Sequence, residues 1–248
     1  MIYVGIGGWT FEPWRGTFYP KGLTQSRELG YAARHLTAIE INGTFYGSQK
    51  PASFRKWHGE TPDDFVFSVK GPRFAVNRRA LKQSGESVER FFASGVTELK
   101  RKLGPLLWQF APSKQFDAED FAAFLDLLPR EADGLKLRHV VEVRHDSFAT
   151  PAFTKQAKAA KVAICFADSD QYPQIEQDTA DFFYARLMKA REKEKLGYAR
   201  KQIDQWLARA QGWEKPKKKK RDVFVFFING AKVRAPLAAQ ALIERLRQ

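Results

Sequence analysis

Short apolar runs alternate with amphipathic, charge-bearing stretches along the whole chain. The runs are Ile2–Gly7, Ala38–Ile41, Phe65–Lys70, Leu106–Phe110, His139–Arg144, Val162–Asp168, Phe182–Met188 and Asp222–Asn229. Near-continuous apolar runs of four to eight residues, bounded by turn residues, read as strands buried on both faces of a parallel sheet. Each run is followed by a stretch that reads as helical. Eight β/α units in 248 residues predict an α/β fold, a single-domain (β/α)8 barrel whose usual size is about 250 residues. An open doubly wound sheet would call for a glycine-rich phosphate loop after the first strand, and none is present.

Helix signals punctuate the runs. A helix is expected over about Ser26 to Arg34, and another opens near Pro51, a residue suited to a first helical turn. A third covers roughly Glu86 to Leu103. Asp117 is a good N-cap for a helix reaching Leu128, because its carboxylate can accept from the first free amides. Thr150 and Pro151 form a second cap for a helix reaching Ala160. Charged helical sequence lies between Lys189 and Gly212, and a last helix runs from about Pro236 to Arg247.

Barrels of this kind carry their chemistry at the C-terminal ends of the strands. Those positions hold Glu40 and Asn42 after the second strand, Lys70 at the end of the third, and Gln109 on the fourth. The fifth ends in Glu142, Arg144 and His145, the sixth in Asp168, the seventh carries Arg186, and the eighth ends at Asn229. Side chains alternate along a strand, so Glu40 shares a face with Asn42 and Glu142 with Arg144. Charges pointing into an apolar barrel must be paired, and the simplest pairing sets Glu40 or Glu142 against Lys70 or Arg144. Such a group serves either as carboxylate acid-base machinery beside anion-holding cations or as an ion-pair network that plugs the barrel.

Aromatic residues crowd the loop after the first strand. Trp9, Phe11, Trp14, Phe18 and Tyr19 surround Arg15, and Tyr46 follows the second strand. They either stack on a ligand ring or close the barrel as a hydrophobic lid.

The chain holds 42 Lys and Arg against 28 Asp and Glu, a formal net charge of +14. That field draws anions, nucleic acid and phosphorylated metabolites among them. Arg73, Arg78 and Arg79 after the third strand, and Lys189, Arg191, Lys193 and Lys195 after the seventh, join Lys70 in a candidate anion funnel. The run Lys217–Arg221, part of a basic loop spanning 215–221, precedes the eighth strand and so belongs to the opposite end.

The lone Cys165 cannot form an internal disulfide and reads as core packing. No window of about 18 uncharged apolar residues suggests a membrane span, and the N-terminus lacks a leader pattern, so a cytoplasmic protein is expected. No cofactor is called for. Of the four histidines, His35 and His139 lie at the wrong end of the barrel and His58 on a helix. That leaves His145 with Glu40, Glu142 and Asp168 as the only set that could gather round a single divalent metal. The sequence names no protein partner.

Gly5-x-Gly7-Gly8-Trp9, Trp14-Arg15-Gly16-x-Phe18-Tyr19-Pro20, Glu40-Ile41-Asn42-Gly43-Thr44-Phe45-Tyr46 and Trp57 with Thr61-Pro62 resemble the YecE-like family, domain of unknown function 72. Phe67-Ser68-Val69-Lys70, Gly104-Pro105-Leu106-Leu107-Trp108-Gln109-Phe110 and Val141-Glu142-Val143-Arg144-His145-x-Ser147-Phe148 continue the likeness over nearly the whole chain. The resemblance implies a TIM-like barrel without an assigned activity. Its barrel is similar to those of sugar isomerases and of an endonuclease acting at abasic sites. The chain departs from the family pattern at three places. A histidine expected shortly after Lys70 is either replaced by Asn77 or missing, Arg186-Leu187-Met188-Lys189 replaces Arg-x-His-Gly, and paired asparagines are reduced to Ile228-Asn229.

The leading expectation is a barrel that binds a phosphate-bearing ligand at its mouth. The ligand is a nucleic acid, nucleotide or sugar phosphate, and the chemistry is acid-base, hydrolase or isomerase-like. Lys70, Arg144 and Arg186 hold the anion; Trp9, Asn42, Tyr46, Arg73, Gln109 and Asn229 line the site; Glu40 and Glu142 do acid-base work with His145 and Asp168 supporting. The alternative is a non-catalytic nucleic-acid-binding protein acting through its basic surface.

Overall fold

The computed structural model describes residues 1–215 and 220–248. Eight barrel strands follow the predicted runs: β1 (Ile2–Gly7), β2 (Ala38–Ile41), β3 (Val66–Lys70), β4 (Leu103–Gln109), β5 (His139–Glu142), β6, β7 (Phe182–Leu187) and β8 (Asp222–Phe227). β6 consists of two pieces, Ala163–Ile164 and Phe166–Asp168. The first piece pairs with β5 and the second with β7, and the remaining strands pair in parallel in the order 5-4-3-2-1-8-7. Cys165 N donates to Val141 O at 2.8 Å and carries the ladder across the interruption. One strand thus joins both ends of the sheet, and the barrel closes on it.

Period-two alternation sorts the side chains. Val4, Ile6, Ile39, Ile41, Phe67, Val69, Leu106, Trp108, Phe183 and Leu187 belong to the large core between the strands and the surrounding helices. Ala38, Val66, Leu107, Val140, Ala163, Cys165, Phe182, Tyr184, Phe224, Phe226 and Ile228 form a separate interior cluster within the barrel. Gly5 belongs with the interior side: a Cβ there would lie 1.9 Å from Ala38 O and 3.3 Å from the Phe226 ring. Only a residue without a side chain lets β1 and β2 approach so closely.

Helices α1 (Glu28–His35), α2 (Pro51–Gly59), α3 (Gly85–Ala93), α4 (Ala118–Asp126), α5 (Pro151–Ala159), α6 (Arg200–Glu214) and α7 (Ala235–Leu246) cover the outside. Their caps follow local chemistry. The Asp117 carboxylate accepts from Asp120 N at 2.9 Å, and Thr150 Oγ1 accepts from Phe153 N at 3.3 Å ahead of Pro151.

Three expectations about the elements need correcting. The connection from β6 to β7, residues 169–181, contains no helix, so the alternation skips one unit. The expected long helix ending at Leu103 is α3 followed by a separate 3-10 segment, Val96–Lys102, because Gly95 at φ 88° ends the α-helix. The charged stretch after β7 turns helical only at Arg200. A short antiparallel hairpin, Glu131–Ala132 with Leu135–Lys136, adds an element beyond the expected set. Its turn residues Asp133 and Gly134 both have positive φ, 49° and 74°, the conformation that an Asp-Gly pair favours.

Candidate functional site

Three charged side chains from β2, β5 and β7 meet inside the upper barrel. Glu40, Glu142 and Arg186 are 0%, 0% and 2% exposed. Arg186 donates from Nε and a terminal nitrogen to both oxygens of Glu40, each at 3.0 Å, and its other terminal nitrogen donates to Glu142 Oε2. Every donor-bearing nitrogen of this guanidinium is therefore engaged. Tyr184, two residues before Arg186 on the same face of β7, donates its hydroxyl to Glu40 Oε2 at 2.7 Å and lies 2.8 Å from Ser68 Oγ. The second oxygen of Glu142 accepts from Gln109 Nε2 at 2.9 Å and Arg144 Nε at 2.8 Å. Burial raises a carboxyl, but here Arg186, Arg144 and the Gln109 hydrogen bond prevail and hold Glu142 down at about 2.

Above this network opens a cavity of about 590 Å³. Its lining includes Trp9, Asn42, Tyr46, Lys70, Gln109, Arg144, Arg186 and Asn229 from the expected set. It also holds Lys232, Gln49, Thr10 and Trp57, which strand-end reasoning missed. Lys232 lies just beyond β8, and reading three residues past Asn229 would have found it. Tyr184 and Ser68 were open to the same alternation that placed Arg186 and Lys70. Among the described residues no Asp or Glu lines the cavity; Glu40 and Glu142 lie behind the cations.

Lys70 is 6% exposed. Its ammonium sits 4.0 Å from the centre of the Phe45 ring, and among the described residues it has no hydrogen bond or ion pair within 4 Å. The backbone that carries it is fixed: Thr44 Oγ1 donates to Lys70 O at 2.6 Å. Burial and then the Arg186 charge push Lys70 down to about 8, against the opposing pull of Glu40 and Glu142. Burial is the larger cause, and the charge count adds to it. Two carboxylates balance the guanidiniums of Arg186 and Arg144, so the Lys70 ammonium is left uncompensated. Arg144 spends only Nε on Glu142, and its guanidinium stacks 4.5 Å from the Tyr172 ring. Lys232 lies over Phe11 and Trp14, 4.6 and 5.6 Å from their centres, and burial lowers it.

The aromatic loop divides in two. Trp14, Phe18 and Tyr19 are buried, and Trp14 Nε1 donates to Lys232 O at 3.0 Å, tying the loop to the segment after β8. Trp9 is half-buried in the cavity wall, edge-on to Trp57 with centroids 5.1 Å apart, and Tyr46 is 68% exposed at the rim.

The other expected residues lie elsewhere. His145 Nδ1 accepts from Ser147 N at 3.2 Å and is 2.9 Å from Ser147 Oγ, which makes it the cap of a short turn. Asp168, raised by burial against the pull of Lys189, pairs with that lysine at 3.5 Å. Arg73 is exposed and stacks 5.1 Å from Phe74. None of these three lines the cavity. Among the described residues no three of His, Cys, Asp and Glu come together as a metal-binding group. His139 is enclosed at the far end, accepting from Trp108 Nε1 at 3.0 Å and lying 2.7 Å from Pro129 O. Lys217, Lys218 and Lys219 lie outside the described residues, while Arg221 donates from Nε to Trp213 O at 2.6 Å. No helix among the described residues is long and apolar enough to cross a membrane.

Comparison with known proteins places this architecture. A DUF72 family protein from Thermotoga maritima MSB8 superposes over 100% of both chains with a TM-score of 0.81 at 24% identity. A second, from Enterococcus faecalis V583, covers 100% of this chain and 98% of its own with a TM-score of 0.75 at 18% identity. A xylose isomerase-like TIM barrel/4-hydroxyphenylpyruvate dioxygenase fusion protein shares the barrel more distantly. Its TM-score is 0.50 at 14% identity, over 94% of this chain and 40% of its own. These likenesses are of fold. In sequence, the UPF0759 protein YunF of Bacillus subtilis (strain 168) is 26% identical over 162 residues, 63% of this chain and 55% of that relative's length. The family model described as protein of unknown function DUF72 matches residues 3–248, and the chain belongs to that family.

Proposed function

We propose that the cavity at the barrel mouth binds a phosphate-bearing small molecule. One observation carries this reading: Lys70, Arg144, Arg186 and Lys232 line the cavity and, among the described residues, no carboxylate does. A partly desolvated, uncompensated cation favours an anionic ligand, because the low local dielectric strengthens the attraction. Arg144, with a guanidinium edge not spent on Glu142, suits two-point contact with phosphate oxygens. Trp9 and Tyr46 offer faces for a sugar or base. Glu40 and Glu142 act as counter-ions that hold Arg186 and Arg144 in place, and proton transfer to or from the ligand falls to Lys70.

Thermal unfolding tests the reading, with inorganic phosphate, ribose 5-phosphate, adenosine monophosphate and, as uncharged controls, ribose and adenosine. A ligand at 100 times its dissociation constant adds about 2.7 kcal/mol, which for a domain of this size is roughly 5–10 °C. The phosphorylated compounds are expected to give such shifts, the controls none, and Arg144→Gln to abolish most of the effect. Equal shifts with ribose and ribose 5-phosphate would refute the reading. So would a shift confined to oligonucleotides, erased by salt and untouched by Arg144→Gln, which would give the function to the basic surface.

A further inference from the structure

We infer that Lys70 is an imine-forming nucleophile whose substrate class is an open-chain aldehyde or ketone carrying a phosphate group. The inference rests on the anion-binding reading above and names the reactive end of the same ligand.

Geometry separates two kinds of cation in the cavity. Arg144 and Lys232 are half-buried, and Arg144 offers a planar guanidinium suited to phosphate oxygens rather than an amine. Lys70 is buried at the end of β3, and Phe45, the ring nearest its nitrogen, accepts no proton. A buried lysine normally ends on a carboxylate or on carbonyl oxygens, as Lys102 does with His58 O at 2.6 Å and Thr61 O at 2.7 Å. Lys70 does neither among the described residues, so nothing needs to be broken for its nitrogen to reach a ligand. The groups that govern its charge are Arg186 and Arg144 on one side and Glu40 and Glu142 on the other. These four balance one another, so losing the proton from Lys70 leaves the cluster neutral. With Lys70 at about 8, the neutral amine near pH 7.5 is on the order of 10²-fold more abundant than for an ordinary lysine. Desolvation of this kind is how lysine nucleophiles are activated.

The step balances without a further reactant. The lone pair of the neutral Nζ forms a bond to the carbonyl carbon as the carbonyl π pair moves to oxygen. That oxygen takes one proton from nitrogen to give the carbinolamine. Cleavage of the C–O bond, with loss of the second N–H proton, then releases water and leaves a neutral C=N bond. Nothing is oxidised or reduced. The phosphate, held by Arg144 and Lys232, sets the carbonyl end toward Lys70.

The experiment is borohydride trapping. The full chain is incubated with glyceraldehyde 3-phosphate at pH 7.5, reduced with sodium borohydride and mapped by peptide mass spectrometry. The expected result is one adduct per chain on the peptide containing Lys70, formed ahead of any on other lysines, suppressed by inorganic phosphate and absent in Lys70→Arg. Mapping on the wild type locates the adduct even where the variant folds poorly. Labelling spread over surface lysines, or equal labelling in a folded Lys70→Arg, overturns the inference. A phosphate-induced thermal shift without an adduct at Lys70 overturns it too, while leaving the anion reading intact. Lys70 labelled equally by glyceraldehyde and its phosphate, with no competition by inorganic phosphate, retains the nucleophile and refutes the anion site.

Discussion

Replacing Arg186 by methionine strands the two carboxylates that share it. Glu40 loses two of its three hydrogen bonds and keeps only Tyr184, whereas Glu142 keeps Gln109 and Arg144. Most of the damage therefore falls on Glu40. Removing one partner of a buried pair costs about 3–5 kcal/mol. An escape route caps the loss, since holding an ordinary glutamate protonated at pH 7 costs about 4 kcal/mol. The expected destabilisation is thus about 3–4 kcal/mol, or a fall in melting temperature of roughly 6–16 °C. Adding Glu40→Gln to Arg186→Met removes the stranded charge and should restore much of the loss. Calorimetry and urea unfolding at pH 7 and pH 5 provide the assay. Protonation of the stranded carboxylate relieves the penalty, so the gap between Arg186→Met and wild type narrows as the pH falls. A single variant within about 1 kcal/mol of wild type, or a gap that Glu40→Gln leaves unchanged, would refute the picture of a mutually dependent network.

The network also predicts acid sensitivity. Glu142 is lowered from 4.5 to about 2 in the folded chain, so its contribution is full above pH 4.5 and is lost as the pH falls toward 2, on the order of 3 kcal/mol; acid-unfolding curves of Glu142→Gln should be shallower over that interval, and parallel curves would count against it. His139 is lowered to about 4 by burial; its stabilisation is full above the unfolded value of 6.5 and is lost as the pH falls toward 4, and its Cε1 proton resonance should titrate near 4, with a midpoint near 6.5 overturning the assignment. Gly5→Ala would set a methyl 1.9 Å from Ala38 O and should cost about 3 kcal/mol or more by forcing β1 from β2; a melting temperature unchanged within error would mean the strands can separate cheaply.

Much of the fold could be read from the chain because strands buried on both faces leave continuous apolar runs. Each of the eight runs contains its strand, apart from three extra residues at the start of β4. The connection 169–181 escaped because a missing helix leaves no mark when neighbouring sequence supplies polar residues in helical proportion. The break in β6 escaped because alternation continues straight through it, with Ala163 and Cys165 facing inward and Ile164 and Phe166 outward. At the site, the strand-end rule located Glu40, Lys70, Gln109, Glu142 and Arg186 together. It could not tell lining from support. Glu40 and Lys70 both end strands, yet one is enclosed by Arg186 and Tyr184 while the other faces the cavity, and that difference comes from partners far apart in the chain. His145 and Asp168 show the same limit: a strand terminus can turn outward into loop contacts with Ser147 or Lys189.

The divided sixth strand has a consequence for how the barrel fails. β6 meets β5 through two residue pairs and β7 through three, whereas β7 and β8 share six and β8 and β1 share five. A cylinder of strands has no free edge only while its narrowest joint holds, and here the two-pair joint between β5 and β6 is made by the strand whose onward connection carries no helix. Parting the β5–β6 joint breaks fewer residue pairs than parting either of those other ladders. It would uncover the flanks of β5 and β6, including Val140, Val141, Ala163 and Ile164, as apolar templates for another chain. The protein's exposure to edge-to-edge aggregation is therefore concentrated along one line of its wall.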